Sequence, residues 1–187
     1  KTMYQVAKSA INRGAETKTV TTNFALTPGS SGTFTELFNV AQGDTDVTRD
    51  GLRINPLRIL IRGHMAVDAG ESLGRNIVRV MVILWKDTSG ISWSGILNAT
   101  ATEKINAPYN HGRRQQFKIL FDRRYTLVDI ASNEAKLFYA NLKIPAAKME
   151  FPSDVGNPRV YLYAVSDSTA TPHPKFNGTA FGTFKDF

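Results

Sequence analysis

The residues best suited to chemistry in this chain are three aspartates in the stretch QGDTDVTRDG, residues 42–51. Asp44 and Asp46 alternate along this stretch, and Asp50 follows close behind. Carboxylates spaced in this way can contribute to a calcium site, which takes roughly six to eight oxygen ligands. The stretch lacks the full EF-hand spacing and its terminal glutamate, and turns also require Asp and Gly. Two interpretations stay open: a calcium site at Asp44 and Asp46, or a polar turn that leads into a strand.

Thiol, zinc and nucleotide-dependent chemistry have no basis in this sequence. The chain has no cysteine, which excludes disulfides, thiolate metal sites and thiol nucleophiles. His64, His111 and His173 are isolated, and none belongs to the helical histidine pair of a zinc motif. No nucleophile elbow, phosphate-binding glycine loop or dinucleotide fingerprint occurs. We therefore predict a protein that is not an enzyme and that needs no cofactor, apart from calcium at the aspartate cluster.

The charge of the chain favours a polyanionic partner. The formal net charge is +7, from 23 lysines and arginines against 16 acidic residues. Basic side chains concentrate in residues 1–30 and 104–124, while the remainder is near neutral. Such regions bind nucleic acid by neutralising phosphates and releasing condensed counterions, although charge also serves solubility.

Six basic residues are the candidate nucleic-acid contacts, and all lie in these two regions. They are Lys1, Lys8, Arg13, Lys18, Arg123 and Arg124. The last two precede Tyr125, an aromatic side chain that can stack on a base. An alternative of equal weight for the arginine pair is a salt bridge to another subunit at a strand end.

Alternating apolar patterns, bounded by turn residues, recur along nearly the whole chain and predict strands. The predicted strands are residues 16–26, 33–40, 52–66, 76–86, 115–127, 135–144, 159–167 and 179–187. No long amphipathic helix, internal repeat or composition break interrupts this series, which is typical of a Greek-key β-sandwich. We predict two parts: an N-terminal arm over residues 1–15 and one β domain over residues 16–187. No apolar run approaches the ~20 residues that cross a bilayer and no leader peptide is recognisable, so we expect no membrane partner.

Three segments allow more detailed predictions. Residues 76–86 are apolar on both faces, which predicts a central strand covered on both sides. The SWSGILN stretch, residues 92–98, predicts a short helix capped by Ser92 or Ser94. Strict alternation within residues 115–127 predicts one shared apolar face. Its members are Phe117, Ile119, Phe121, Tyr125 and Leu127.

Three stretches, taken in order, resemble small single-jelly-roll viral capsid proteins. QGDTDVTRDGLRINPLRILIRG (42–63) resembles a turn and the long strand after it, and RVMVILWKDTSG with SGILN (79–98) resembles the next strand, turn and short helix. RRQQFKILFDRRYTL (113–127) resembles a further strand, and RVYLYAVSD (159–167) fits the penultimate one. The motifs resemble those of capsid proteins from Rep-encoding circular single-stranded DNA viruses. Satellite tobacco necrosis virus-like capsid proteins are more distant relatives by this resemblance.

The resemblance implies an all-β fold, an eight-stranded antiparallel jelly-roll sandwich, and a structural function. Identical copies would assemble into a small T=1 icosahedral shell around a single-stranded genome, DNA by the nearest relatives. The implied partners are other copies of the chain and the genome. The implied location is the virion, with assembly in the host nucleus or cytoplasm. The 42–51 turn would direct its acids and arginines at a neighbouring subunit or at its own backbone.

Two alternatives and one departure accompany the resemblance. The chain could be an RNA satellite-virus capsid protein. It could also be a non-viral jelly-roll module in signalling or carbohydrate binding, with Trp93, Tyr109 and Phe176 as loop aromatics that stack on a sugar. Capsid proteins of this kind usually begin with an arm rich in Arg and Lys. In this chain, only a few cations near the start resemble such an arm. We therefore expect a longer, basic native N-terminus.

Overall fold

A computed structural model describes residues 16–67, 75–87, 90–98, 100, 103–128, 135–145, 149–150 and 158–186, and these residues are mostly β-strand. The strands are β1 (Thr17–Leu26), β2 (Thr33–Glu36), β3 (Arg53–Ala66), β4 (Arg75–Trp85), β5 (Phe117–Val128), β6 (Lys136–Lys143), β7 (Met149–Glu150), β8 (Arg159–Ser166) and β9 (Lys175–Asp186). A short helix, α1 (Trp93–Ile96), and a 3-10 turn at His111–Arg113 lie between β4 and β5. No helix in these residues has the length and apolarity to span a membrane.

The strands form two antiparallel sheets. Sheet A has the strand order β1-β9-β3-β6, and β7 pairs with the beginning of β3. Sheet B has the order β2-β8-β4-β5. Two four-stranded sheets connected in this interleaved order are the double Greek key of a jelly roll. The predicted eight-stranded antiparallel jelly-roll sandwich is confirmed, and the two-residue β7 is an addition to it.

The main apolar core lies between the two sheets, where alternate residues of both meet. Within sheet A, the backbones of β3 and β9 leave little space where the register places Gly63 beside Gly178. A Cβ atom on Gly63 would lie 2.5 Å from the carbonyl oxygen of Asn177, so only glycine fits this position. The rings of Phe24 and Phe176, whose centroids are 5.0 Å apart in an edge-to-face arrangement, pack beside this pair.

A second apolar cluster covers the outer face of sheet B. The connection between β4 and β5 folds back over the sheet and contributes buried Ile96, Leu97, Ile105 and Ala107. Strand β4 lies between β8 and β5 and is buried on both faces, which confirms the prediction of a doubly covered central strand. The predicted short helix is also confirmed, and Ser92 caps it by accepting a hydrogen bond from the Gly95 amide at 3.2 Å.

The prediction of one apolar face along β5 is wrong, because a β-bulge interrupts the strand. Ile119 pairs with Ile83, but Phe121 pairs with Val82, which leaves Leu120 as an extra residue. An extra residue moves the side chains that follow it to the opposite face. Accordingly Phe117 and Ile119 pack in the outer cluster of sheet B, whereas the later apolar residues Phe121, Tyr125 and Leu127 pack in the core between the sheets.

Candidate nucleic-acid interface

The outer face of sheet A is open to solvent in the described part of the chain, unlike that of sheet B. The strand register arranges its side chains in four rows, each with one residue from β1, β9, β3 and β6. The rows are Ala25, Asn177, His64, Leu137; Asn23, Thr179, Arg62, Tyr139; Thr21, Phe181, Leu60, Asn141; and Thr19, Thr183, Arg58, Lys143. We call these four rows the open face.

The open face carries positive charge and no acidic side chain in its four rows. Arg58 and Arg62 are exposed and four positions apart on β3, which separates them by about 13 Å along the strand. Arg58 donates a hydrogen bond from Nε to Asn141, while the Arg62 guanidinium lies 6.0 Å from the centroid of the Tyr139 ring. An arginine has several further N–H donors, so these contacts orient the guanidinium groups and still leave donors for a partner.

The open face also exposes large apolar side chains. Leu137 is 83% exposed, Tyr139 60% and Phe181 44%. They are three of the six large apolar residues that are strongly exposed among the described residues. Exposed aromatic rings held on a rigid sheet indicate a contact surface better than scattered single residues do.

Sequence reasoning missed most of this face. Arg58, Leu60 and Arg62 alternate along one strand, and this signal is visible in the sequence. Tyr139 and Phe181 come from distant segments and join those residues only through the register of β6 and β9 with β3. Pairing between distant strands is not encoded in a local pattern, so the cluster could not be assembled from the sequence.

Lys18 was predicted to contact nucleic acid, but the structure gives its ammonium a different environment. The residue is only 3% exposed, and its Nζ lies 2.7 Å from Asp50, 3.5 Å from Asp186 and 3.8 Å from Glu16. The hydrogen bond to Asp50 is the main cause that raises the pKa of Lys18. An ammonium surrounded by three carboxylates is not presented to phosphate, so we leave Lys18 out of the interface.

Arg123 and Arg124 are both exposed on β5, the edge strand of sheet B, and they point to opposite faces of that sheet. Arg123 pairs with Val80 of the core side and lies 5.6 Å from the Tyr125 ring centroid. Arg124 pairs with Arg79 on the outer side. The two arginines therefore do not form one patch, and each stays a separate candidate contact.

The other three predicted contacts, Lys1, Lys8 and Arg13, lie outside the described residues, as does the whole predicted arm of residues 1–15. They stay predictions.

Asp44 and Asp46 lie on an exposed turn that its own backbone and side chains stabilise. The Thr48 hydroxyl bonds with the Thr45 backbone, and buried Arg49 donates to the carbonyl oxygens of residues 40 and 51. The resemblance implies that the arginines of this turn face either a neighbouring subunit or the turn's own backbone. Arg49 faces the backbone. No group of three metal-ligating side chains occurs among the described residues. Calcium at Asp44 and Asp46 stays a prediction, which a chelator tests: unchanged thermal stability would contradict it.

The connection that covers sheet B is attached to the sheet by a buried ion pair. Arg79 donates to both carboxylate oxygens of Asp122 at 3.0 and 2.7 Å, and to the carbonyl oxygen of Ala107 at 2.8 Å. The Tyr109 hydroxyl donates to the same carboxylate. Burial opposes the charge on Arg79, but the hydrogen bond and attraction to Asp122 outweigh it and raise the arginine pKa. Burial is the main cause that raises the pKa of Tyr109.

The loop aromatics of the carbohydrate-binding alternative are not arranged as that alternative requires. The prediction that Phe176 lies on a loop is wrong, because this residue lies in β9 and is fully buried in the core. Tyr109 is engaged with Asp122, and Lys104 places its ammonium 4.2 Å from the Trp93 ring centroid. The three rings therefore present no common stacking surface.

Chains of three viruses are among the solved structures similar to this one. A chain from the empty head of turnip yellow mosaic virus gives a TM-score of 0.45 at 11% identity, over 92% of this chain and 79% of that chain. A chain of desmodium yellow mottle tymovirus gives 0.41 at 7% identity, over 91% and 86%. A chain of infectious bursal disease virus, strain Gx, gives 0.31 at 12% identity, over 92% and 32%. No protein-family model and no curated protein matches the chain. The strand order of the chain itself, rather than these superpositions, defines its fold.

Proposed function

We propose that this protein is the structural subunit of a small T=1 icosahedral virus capsid that packages a single-stranded genome, which the motif resemblance suggests is DNA. The observation that carries the proposal is where the capsid-like stretches lie in the fold. Residues 42–63 contain the turn and most of β3, residues 79–98 contain most of β4 and all of α1, and residues 113–127 contain most of β5. Each stretch occupies the kind of element that the resemblance implies, in the same order.

The geometry of the sandwich supports self-assembly. Strands β1, β2, β5 and β6 lie at sheet edges, where backbone donors and acceptors attract further pairing unless they are covered. Tiling with symmetric copies covers such edges without leaving a free end. Val47 and Leu52 are 58% and 56% exposed beside the polar turn, and they supply apolar surface for a neighbour. A persistent contact needs about 1,000 Å² of buried surface.

The charge supports a genome as the second partner. Phosphate neutralisation by basic residues is independent of base sequence, which suits a protein that encloses a whole genome. The candidate contacts that the structure leaves open are Lys1, Lys8, Arg13, Arg123 and Arg124. We place the protein in the virion, after assembly in the host nucleus or cytoplasm.

Light scattering and negative-stain microscopy of the purified chain test the proposal. We expect closed shells of roughly sixty copies, on the order of a megadalton for a chain of 20.7 kDa. A lone protomer at high concentration, with or without added oligonucleotide, would contradict it.

Among assembled particles, replacing Lys8 and Arg13 by alanine should lower the nucleic-acid content, measured by the ratio of absorbance at 260 nm to that at 280 nm.

A further inference from the structure

We propose that the open face of sheet A binds single-stranded nucleic acid, with Arg58, Arg62 and Lys143 contacting phosphates and Tyr139 and Phe181 stacking on bases. This inference rests on the proposed function, because the packaged genome is the strand that the face would meet.

Charge complementarity selects a polyanion as the partner. Arg58, Arg62 and Lys143 are exposed on the adjacent strands β3 and β6, on the same side of the sheet. The four rows contain threonine, asparagine and apolar residues but no carboxylate that would neutralise these cations. A partner that supplies many negative charges in a line therefore matches the face.

The aromatic side chains select single strands over duplex. Tyr139 and Phe181 lie two strands and one row apart, about 12 Å by the usual strand spacing and rise. Aromatic rings on a basic surface bind unpaired bases by stacking, with little dependence on sequence. Bases within a duplex are already stacked on one another and present only their edges in the grooves, so these two rings have no equivalent partner there.

The same charges disfavour a second copy of this chain as the occupant. Pairing two open faces would bring cations such as Arg58 and Arg62 against one another, with no acidic residue in the rows to compensate. Like charges placed opposite each other across an interface are destabilising. The exposed apolar area of Leu137, Tyr139 and Phe181 is thus explained better by bases than by self-contact.

The test is binding of a fluorescent thymidine oligonucleotide to the full chain, measured by anisotropy over a salt series. Tyr139→Ala and Phe181→Ala should each weaken binding by about 5- to 150-fold, the range for loss of one stacked base. Tyr139→Phe keeps the ring and should bind like the wild type. The triple variant R58A/R62A/K143A should lower the magnitude of the slope of log affinity against log salt by about 2, because each single-strand phosphate contact contributes about 0.7.

Controls separate this inference from the proposed function. Lys118→Ala removes one exposed cation from β5 in sheet B and should leave binding unchanged, and a duplex of equal length should bind with no loss on Tyr139→Ala. Light scattering on the same samples reports assembly, and thermal melts report folding. Wild-type assembly with open-face variants that bind like the wild type overturns the inference and leaves the shell proposal standing. Variants that block assembly while still binding oligonucleotide show a subunit contact instead, which also overturns it. If the wild-type chain binds oligonucleotide but never assembles, and the open-face variants lose that binding, the result supports the inference and contradicts the shell.

Discussion

At the scale of single residues, the ion pair between Arg79 and Asp122 is largely buried and takes part in several further hydrogen bonds. It joins β4 to β5, and through Ala107 it also holds the connection that covers sheet B. The side chain of Arg79 is 5% exposed and that of Asp122 is 18% exposed, so water solvates little of either charge. Removing one partner leaves the other charge buried without compensation, which costs far more than the intact pair contributes.

Replacement of Asp122 by alanine tests this pair. We expect the free energy of unfolding to fall by about 3 kcal/mol, because the buried Arg79 guanidinium loses its carboxylate. Urea denaturation of the two proteins measures the difference. Arg124→Ala removes an exposed charge two positions away and should change stability by less than about 0.5 kcal/mol. Equal stability of Asp122→Ala and the wild type would show that the pair is not structurally important.

Two of the raised pKa values, those of Lys18 and Tyr109, predict how stability depends on pH. Asp50 raises the pKa of Lys18 above its ordinary 10.5, and burial raises the pKa of Tyr109 above 10.0. In both cases the folded state holds its proton more tightly than the unfolded state does. The resulting stabilisation is complete below the ordinary pKa values and is lost as the pH rises through the higher, folded-state values.

We therefore expect the melting temperature to be insensitive to these two groups at neutral pH and to fall above about pH 10. Melts in buffers of increasing pH, with phenolate absorbance as a second signal, check this. Tyr109→Phe should reduce the slope of the alkaline decrease. A melting temperature that rises with alkaline pH would contradict the sign of both shifts.

At the scale of secondary-structure elements, the sequence predicts where strands lie much better than how they meet. Seven-residue and longer alternating runs, such as residues 16–26 and 159–167, became β1 and β8 almost unchanged, because local alternation suffices for a half-buried strand. The β5 prediction failed at Leu120, since one extra residue in a bulge reverses the faces without altering the composition. The placement of Phe176 also failed, because the segment after Pro174 begins β9 earlier than its turn-like flank indicates.

The candidate site shows the same difference between local patterns, which the sequence reveals, and contacts between distant segments, which it does not. Net charge and basic regions predict a polyanion as partner, which stays a prediction, but the candidate residues were chosen by proximity along the chain. Lys18 belongs to the same basic region as Lys8 and Arg13, and yet its ammonium contacts Asp50 and Asp186, which lie 32 and 168 positions away. Long-range neighbours of this kind depend on tertiary packing and have no local signal.

The pairing of Gly63 in β3 with Gly178 in β9 gives a prediction for the stability of β9. Gly178→Ala should lower the free energy of unfolding by about 2 kcal/mol or more, because its Cβ would meet the backbone oxygen of Arg62 and the Phe24 ring. Urea denaturation measures the change. Thr179→Ala, one residue further along β9 and on the outer face, is the matched control and should have a small effect. A neutral Gly178→Ala would mean that β3 and β9 can separate without cost.

At the scale of the whole molecule, the two outer faces of the sandwich differ in kind. Sheet B is covered by the chain's own β4–β5 connection, whereas sheet A presents charge and aromatic rings to solvent. A subunit with two unlike faces can enter a closed shell in only one radial orientation if one face contacts the genome. The proposed shell and the proposed binding face are therefore consistent with each other when sheet A points inward.

Assembly itself can be tested at the exposed corner of the 42–52 turn. Leu52→Asp should abolish particles and leave a folded protomer, because a desolvated charge replaces apolar contact area at a subunit interface. Light scattering measures the particle, and circular dichroism measures the fold. Leu52→Met keeps the apolar contact area at the same position and is the control, which should assemble like the wild type. Normal particles from Leu52→Asp would place the contact elsewhere.

The pairing of β1 with β9 has one more consequence. Thr17 is opposite Lys185, and the Asp186 amide donates to the carbonyl oxygen of Glu16, so the first and last described residues are adjacent steps of one ladder. The chain between residues 16 and 186 therefore returns to its own starting point, and the sandwich does not depend on where that path is opened. A circular permutant that joins residue 186 to residue 16 by a short linker and opens at exposed Gly90 would keep every described strand pairing in a reordered gene.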